Sequence, residues 1–142
     1  MKPLACACLV AQRGDALLLV RVRDNVHWYL PGGKVEPHES AASALHRELQ
    51  EELGVTLVPE SIRYLYTVVG PAYGQAGTVE LVCFSARWNG ELRPLGEITD
   101  VRWIDRVDTS RFAPAVQILC AEYLPRAAHD GPHGAAHSSG RT

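Results

Sequence analysis

No apolar run in this sequence approaches the roughly 20 residues that a helix needs to cross a bilayer; the longest, Leu4 to Ala11, excludes a helical span. With Lys2 in front, that run faintly resembles the start of a signal peptide. It passes straight into Gln12-Arg13-Gly14-Asp15 and a second apolar stretch without a cleavage site, so it reads as the first strand of a cytoplasmic domain. The four cysteines, Cys6, Cys8, Cys83 and Cys120, include no C-x-x-C pair. That argues against a zinc site or a disulfide framework and suits small core residues in a reducing compartment. Excess charge of one sign is also lacking, because 14 Lys and Arg against 16 Asp and Glu leave a net charge of −2. Such a surface is not built to attract nucleic acid or anionic lipid. Internal repeats are absent, and Ala127 to Thr142 has almost no large apolar side chain, so this stretch is expected to be a solvated tail. His129, His133 and His137 recur there at every fourth position, but Gly131-Pro132 and Gly134 oppose the helix that would align them as metal ligands.

What remains is the composition of a soluble globular domain, with 46% hydrophobic and 21% charged residues in 142, and a single domain over residues 1–126 is expected. Leu4 to Gln12 and Ala16 to Val22, separated by Arg13-Gly14-Asp15, predict an antiparallel hairpin or strand pair. Trp28 to Leu30 predicts a short strand stopped by Pro31-Gly32-Gly33. Further strands are expected over Ser61 to Val69, Thr78 to Arg87 and Val101 to Ile104, the first two joined by the Gly-rich loop Gly70 to Gly77. Pro114 opens a second helix to about Leu124, with Val116, Leu119 and Tyr123 along one side.

The most sharply bounded element is a helix from Ser40 to Leu53. It contains no Gly or Pro, and Ala42, Leu45, Leu49 and Leu53 recur at three- and four-residue spacing. Ser40 suits the N-cap and Gly54 the left-handed C-terminal position. Its other side carries Glu48, Glu51 and Glu52 within an arc of about 100°. As structure alone this is unfavourable: like charges three and four residues apart repel by a few tenths of a kcal/mol per pair. The helix dipole adds roughly 0.3–1 kcal/mol against each carboxylate in the last turn. Arg47 offsets part of this, but one cation cannot neutralise three carboxylates. A hard divalent cation can, and Mg2+ fits best, with Mn2+ as the other candidate, since such ions complete their shells with water and phosphate oxygens. A charged, solvated helix face is the plainer alternative for this helix taken alone.

The loop before the helix decides between them. Gly33, five residues, Glu39, seven residues, then Arg47-Glu48-Leu49-Gln50-Glu51-Glu52-Leu53-Gly54-Val55 resembles the Nudix signature at every defined position. The resemblance implies an α/β/α sandwich around a mixed, partly antiparallel sheet. It also implies a hydrolase that cleaves a diphosphate linkage in a small nucleotide by means of a metal-activated water. Carried over by position, Glu48, Glu51 and Glu52 hold the metal, the backbone carbonyl of Gly32 joins them, Arg47 orients the carboxylates, and Glu39 ties the loop to the helix through Arg47. A further acid after the signature often serves as ligand or general base. Glu97, six residues before Trp103 as in MutT-type members, is the first candidate and Asp100 its competitor.

Substrate choice is left open. Pro marks ADP-ribose hydrolysis and Tyr dinucleoside polyphosphate hydrolysis in some subgroups, and both Pro71 and Tyr73 fall in the relevant region. Trp28 or Tyr29 could stack on a base or belong to the core, and Lys34 could meet a phosphate or simply be exposed. A nucleoside triphosphate is the leading substrate, with ADP-ribose, nucleotide sugars and dinucleoside polyphosphates as alternatives. A nucleotide-sensing module without turnover is the reading from another class, and either a monomer or a homodimer is expected.

Overall fold

The computed structural model describes residues 4–72, 77–107 and 109–124. The stretch 127–142, with its three spaced histidines, and Tyr73 lie outside these. In chain order the elements are β1 (Leu4–Leu9), β2 (Gln12–Arg13), β3 (Ala16–Val22), β4 (Trp28–Tyr29), β5 (Gly32–Lys34), α1 (Ala41–Leu53), β6 (Thr56–Leu57), β7 (Arg63–Pro71), β8 (Thr78–Ser85), β9 (Trp88–Asn89), β10 (Ile98–Asp105) and α2 (Pro114–Glu122). One sheet has the order β5-β1-β8-β7, with β1 and β8 parallel and the other pairs antiparallel. A second, antiparallel sheet runs β10-β3-β2 with β4 on β3, and β6 and β9 form a small pair.

The two helices cover opposite faces, as the burial pattern requires. Along β1, Ala7 and Leu9 join the core under α1, while Cys8 and Val10 join the core under α2. Along β3, Leu18 and Val20 join the first, and Leu17 and Leu19 the second. Strands apolar on both faces are those buried on both faces. This also limits the expected hairpin of the first two strands. Only Gln12 and Arg13 pair with β3, because β1, apolar all round, leaves that sheet at Val10–Ala11 to sit between β5 and β8.

Other differences are local. The Pro31-Gly32-Gly33 stop is itself part of strand β5, paired with β1. The strand expected from Ser61 starts at Arg63 after a 3-10 turn, and β10 is twice the expected length. In α2, Val116 and Leu119 are buried, whereas Tyr123 lies just past the helix, where its ring packs against Tyr66 with centroids 4.4 Å apart.

Candidate active site

Helix α1 is held at both ends by the expected chemistry. The Ser43 N–H donates to Ser40 Oγ at 3.1 Å, and Gly54, left-handed at φ 71°, donates its N–H to Gln50 O. The last carbonyls are met from outside the helix: Leu95 N–H donates to Glu52 O at 2.9 Å and Arg93 N–H to Leu53 O at 3.0 Å. The same docking brings the segment leading to Glu97 against the acidic end of α1.

On the polar side Arg47 is the hub. Its Nε and Nη2 each lie 2.8 Å from a Glu39 oxygen, a bidentate pair, and Nη2 also donates to Lys34 O at 3.2 Å. Nη1 meets Glu48 at 2.9 Å and Glu51 at 3.6 Å. Arg47 thereby joins the chain leaving β5 to α1. Its guanidinium, with a Glu36 N–H, holds the Glu39 carboxyl well below its ordinary range, at about 2.

The three glutamates occupy different settings. Glu51 is the open one, with 62% of its side chain exposed; Glu48 is 13% exposed and seated against Gly33. A Cβ at Gly33 would lie 2.3 Å from the carboxyl carbon of Glu48, so glycine is what makes room for that carboxylate. Glu52 turns into a cavity and its carboxyl is pushed up to about 8, first by burial, then by the charge of Glu48 and a hydrogen bond with it, and further by Glu97 and Glu51. The close facing expected of all three is therefore strongest for Glu48 and Glu52, whose carboxyls lie within hydrogen-bonding reach of each other. Glu51 leans toward Arg47 instead, and among the described residues no three acidic, histidine or cysteine side chains converge in a metal-binding group. The donor set is nonetheless hard oxygen throughout, and two carboxyls brought together are the kind of ligand a divalent cation takes, so these residues fit such an ion.

Gly32 has φ 139°, and a Cβ there would fall 1.9 Å from Ala7 O, so its contact with β1 alone requires glycine. Glu97 pairs with Arg23 at 3.3 Å and acts electrostatically on Glu52. Asp100 instead pairs with Arg102 at 2.9 Å and is not among the groups that act on Glu52. Of the two candidates, the fold brings Glu97 to the cluster.

The cavity, about 240 Å³, lies between the two sheets and is lined by Cys6, Tyr29, Gly32, Glu52, Pro71 and Ile98 among others, mostly apolar. Tyr29 faces it, its hydroxyl accepting from Asn25 Nδ2 at 2.8 Å, while Trp28 is core. Sequence reasoning missed Arg23 and the strand residues that form the walls. The latter read as ordinary core, and nothing local distinguishes a core valine from one bordering a cavity.

The model of the NUDIX domain matches residues 1–118. The chain belongs to the Nudix family. A MutT-like protein from Streptomyces ambofaciens is 30% identical over 92% of this chain and 80% of its own length. The nucleoside triphosphatase NudI of Escherichia fergusonii is 29% identical over 79% of this chain and 89% of its own. Among solved structures, the MutT NUDIX hydrolase from Burkholderia pseudomallei superposes with a TM-score of 0.71 at 24% identity, covering 87% of this chain and 99% of that one, which shows a shared fold. Nudix hydrolases act on small nucleoside diphosphate derivatives and generally use divalent metal ions. No helix among the described residues is long and apolar enough to cross a membrane.

Proposed function

We propose that this Nudix hydrolase, acting as a single domain over residues 1–126, cleaves a diphosphate linkage in a nucleoside triphosphate or related nucleotide with Mg2+, or Mn2+ in its place. The observation that carries the reading is the position of Glu52, whose carboxyl is at once part of the α1 acidic side and part of the cavity wall. A substrate with its nucleoside end in the apolar cavity would have its phosphates at those carboxylates.

Glu48, Glu51, Glu52 and Glu97, with the carbonyl of Gly32, are the groups that would hold the metal. Once bound, the ion lowers the pKa of a coordinated water and offsets the charge of the phosphate chain. Glu52, on the acidic side of α1 and in the cavity wall at once, is placed to accept a proton from the attacking water. Arg47 keeps Glu48 and Glu51 in place through the contacts of its Nη1 with both. Exclusion of water falls to the cavity walls.

The likeness to a nucleoside triphosphatase over most of its length supports the triphosphate reading. Pro71 in the cavity wall is the one observation that favours ADP-ribose instead. A panel of nucleoside triphosphates, ADP-ribose, nucleotide sugars and dinucleoside polyphosphates, assayed for phosphate and pyrophosphate release with magnesium, manganese or EDTA, separates these. Metal-dependent release from a triphosphate is expected. Tight binding of one member with no turnover anywhere in the panel would instead identify a sensor.

A further inference from the structure

A second cleft, about 520 Å³, opens at the opposite end of the same strands from the cavity, at Gln12, the start of β7 and the end of β8. Val79 on the cavity side and Ser85 here are six residues apart on β8, about 20 Å in a strand. Its charged lining residues are two cations, Arg63 and Arg87, and one acid, Glu60, and Gln12, Ser61 and Ser85 add uncharged polar groups.

A β-bulge builds this arrangement. In a regular strand Arg63 and Tyr66, three apart, would point to opposite faces. Arg63 pairs with Ser85, Tyr64 with Phe84 and Tyr66 with Cys83, so Leu65 is the extra residue and both Arg63 and Tyr66 fall on the face shared by Cys83 and Ser85. The Tyr66 ring is fixed against Tyr123 and closes the inner side of the cleft. Neither Arg63 nor Arg87 has a carboxylate within ion-pair distance among the described residues.

We propose that this cleft is a second anion site, one that takes a terminal phosphate group through Arg63 and Arg87, with Ser85 as a further donor. Two guanidiniums suit a dianion, and a terminal phosphate is a dianion near neutral pH. Hydrolysis of a diphosphate linkage adds water across one P–O–P bridge and leaves a terminal phosphate on each fragment, so such groups are always present where this enzyme works. The site rests on its own residues and stands whichever nucleotide the enzyme cleaves.

The test is titration of the full chain in EDTA, where the carboxylates of the α1 site repel anions, with inorganic phosphate, AMP and adenosine. Affinity is read by calorimetry and position by amide resonance shifts. Phosphate and AMP should bind with shifts centred on Arg63, Ser85 and Arg87, and adenosine should not; equal affinity for the first two assigns recognition to the phosphate alone, tighter AMP to a nucleotide. Arg63→Gln with Arg87→Gln should weaken binding at least about tenfold. Ser85→Ala, at the strand position paired with Arg63, should weaken it severalfold and serves if the double variant fails to fold. Absence of saturation at about 10 mM phosphate, unchanged affinity in these variants, or adenosine binding as well as AMP would overturn the proposal.

Discussion

The two sides of α1 are built on opposite principles. On one, Leu45, Leu49 and Leu53 are 1% exposed or less, each worth roughly 1.5–3 kcal/mol by burial. On the other, Glu48, Glu51 and Glu52 stand together near the helix C-terminus, where dipole and mutual repulsion each oppose them by a few tenths to about 1 kcal/mol. The apolar side outweighs the acidic side severalfold, which is how the helix tolerates an arrangement that no folding requirement would select. Stability and chemistry are thus separable on one helix, and substitutions on each side should move different observables.

The largest expected effect is that of Glu52→Gln, which should lower metal-dependent turnover about 10²- to 10⁴-fold, the range for loss of a general base. In metal-free protein the same change should stabilise. A carboxyl whose folded pKa is raised from 4.5 to about 8 favours folding fully only below 4.5, and that contribution is lost as pH rises through 8. The melting temperature of Glu52→Gln should therefore gain on that of the native chain between these limits. A variant that loses turnover and melts lower at pH 8 would show that Glu52 supports the fold as well. Leu49→Ala, on the other side, should cost about 2–5 kcal/mol in denaturant unfolding while turnover per folded molecule stays within a factor of about two. A collapse of turnover in fully folded Leu49→Ala would break the separation.

Gly33→Ala tests the boundary between the two. The new methyl would strike the end of the Glu48 side chain and not backbone, so the fold should yield easily while the carboxylate is displaced. Turnover should fall on the order of tenfold, with a melting change smaller than that of Leu49→Ala. How much could be read in advance follows the same division. The bounds of α1, its caps and its acidic side are written in consecutive residues and were legible. The passage of β1 into the other sheet, the pairing of β5, and the cavity walls depend on partners far along the chain. The choice of Glu97 over Asp100 depends on how residues 93 to 95 hydrogen-bond to the end of α1 and on a register shift between Ile98 and Asp100, neither of which has a local pattern.

Glu39 offers the smallest and most selective probe, because it touches the acidic side only through Arg47. With its folded pKa lowered from 4.5 to about 2, its contribution to stability is present above 4.5 and disappears as pH falls toward 2. Glu39→Gln should accordingly be less stable than the native chain at neutral pH, and the two unfolding curves should converge across that acidic window. Arg47 would keep its contacts with Glu48 and Glu51, so turnover should fall only severalfold, less than for Gly33→Ala. A stability difference that persists unchanged down to pH 2 would locate the effect outside the Glu39–Arg47 pair. A loss of turnover matching that of Glu52→Gln would mean that the anchorage of Arg47, more than the seat provided by Gly33, fixes the carboxylates.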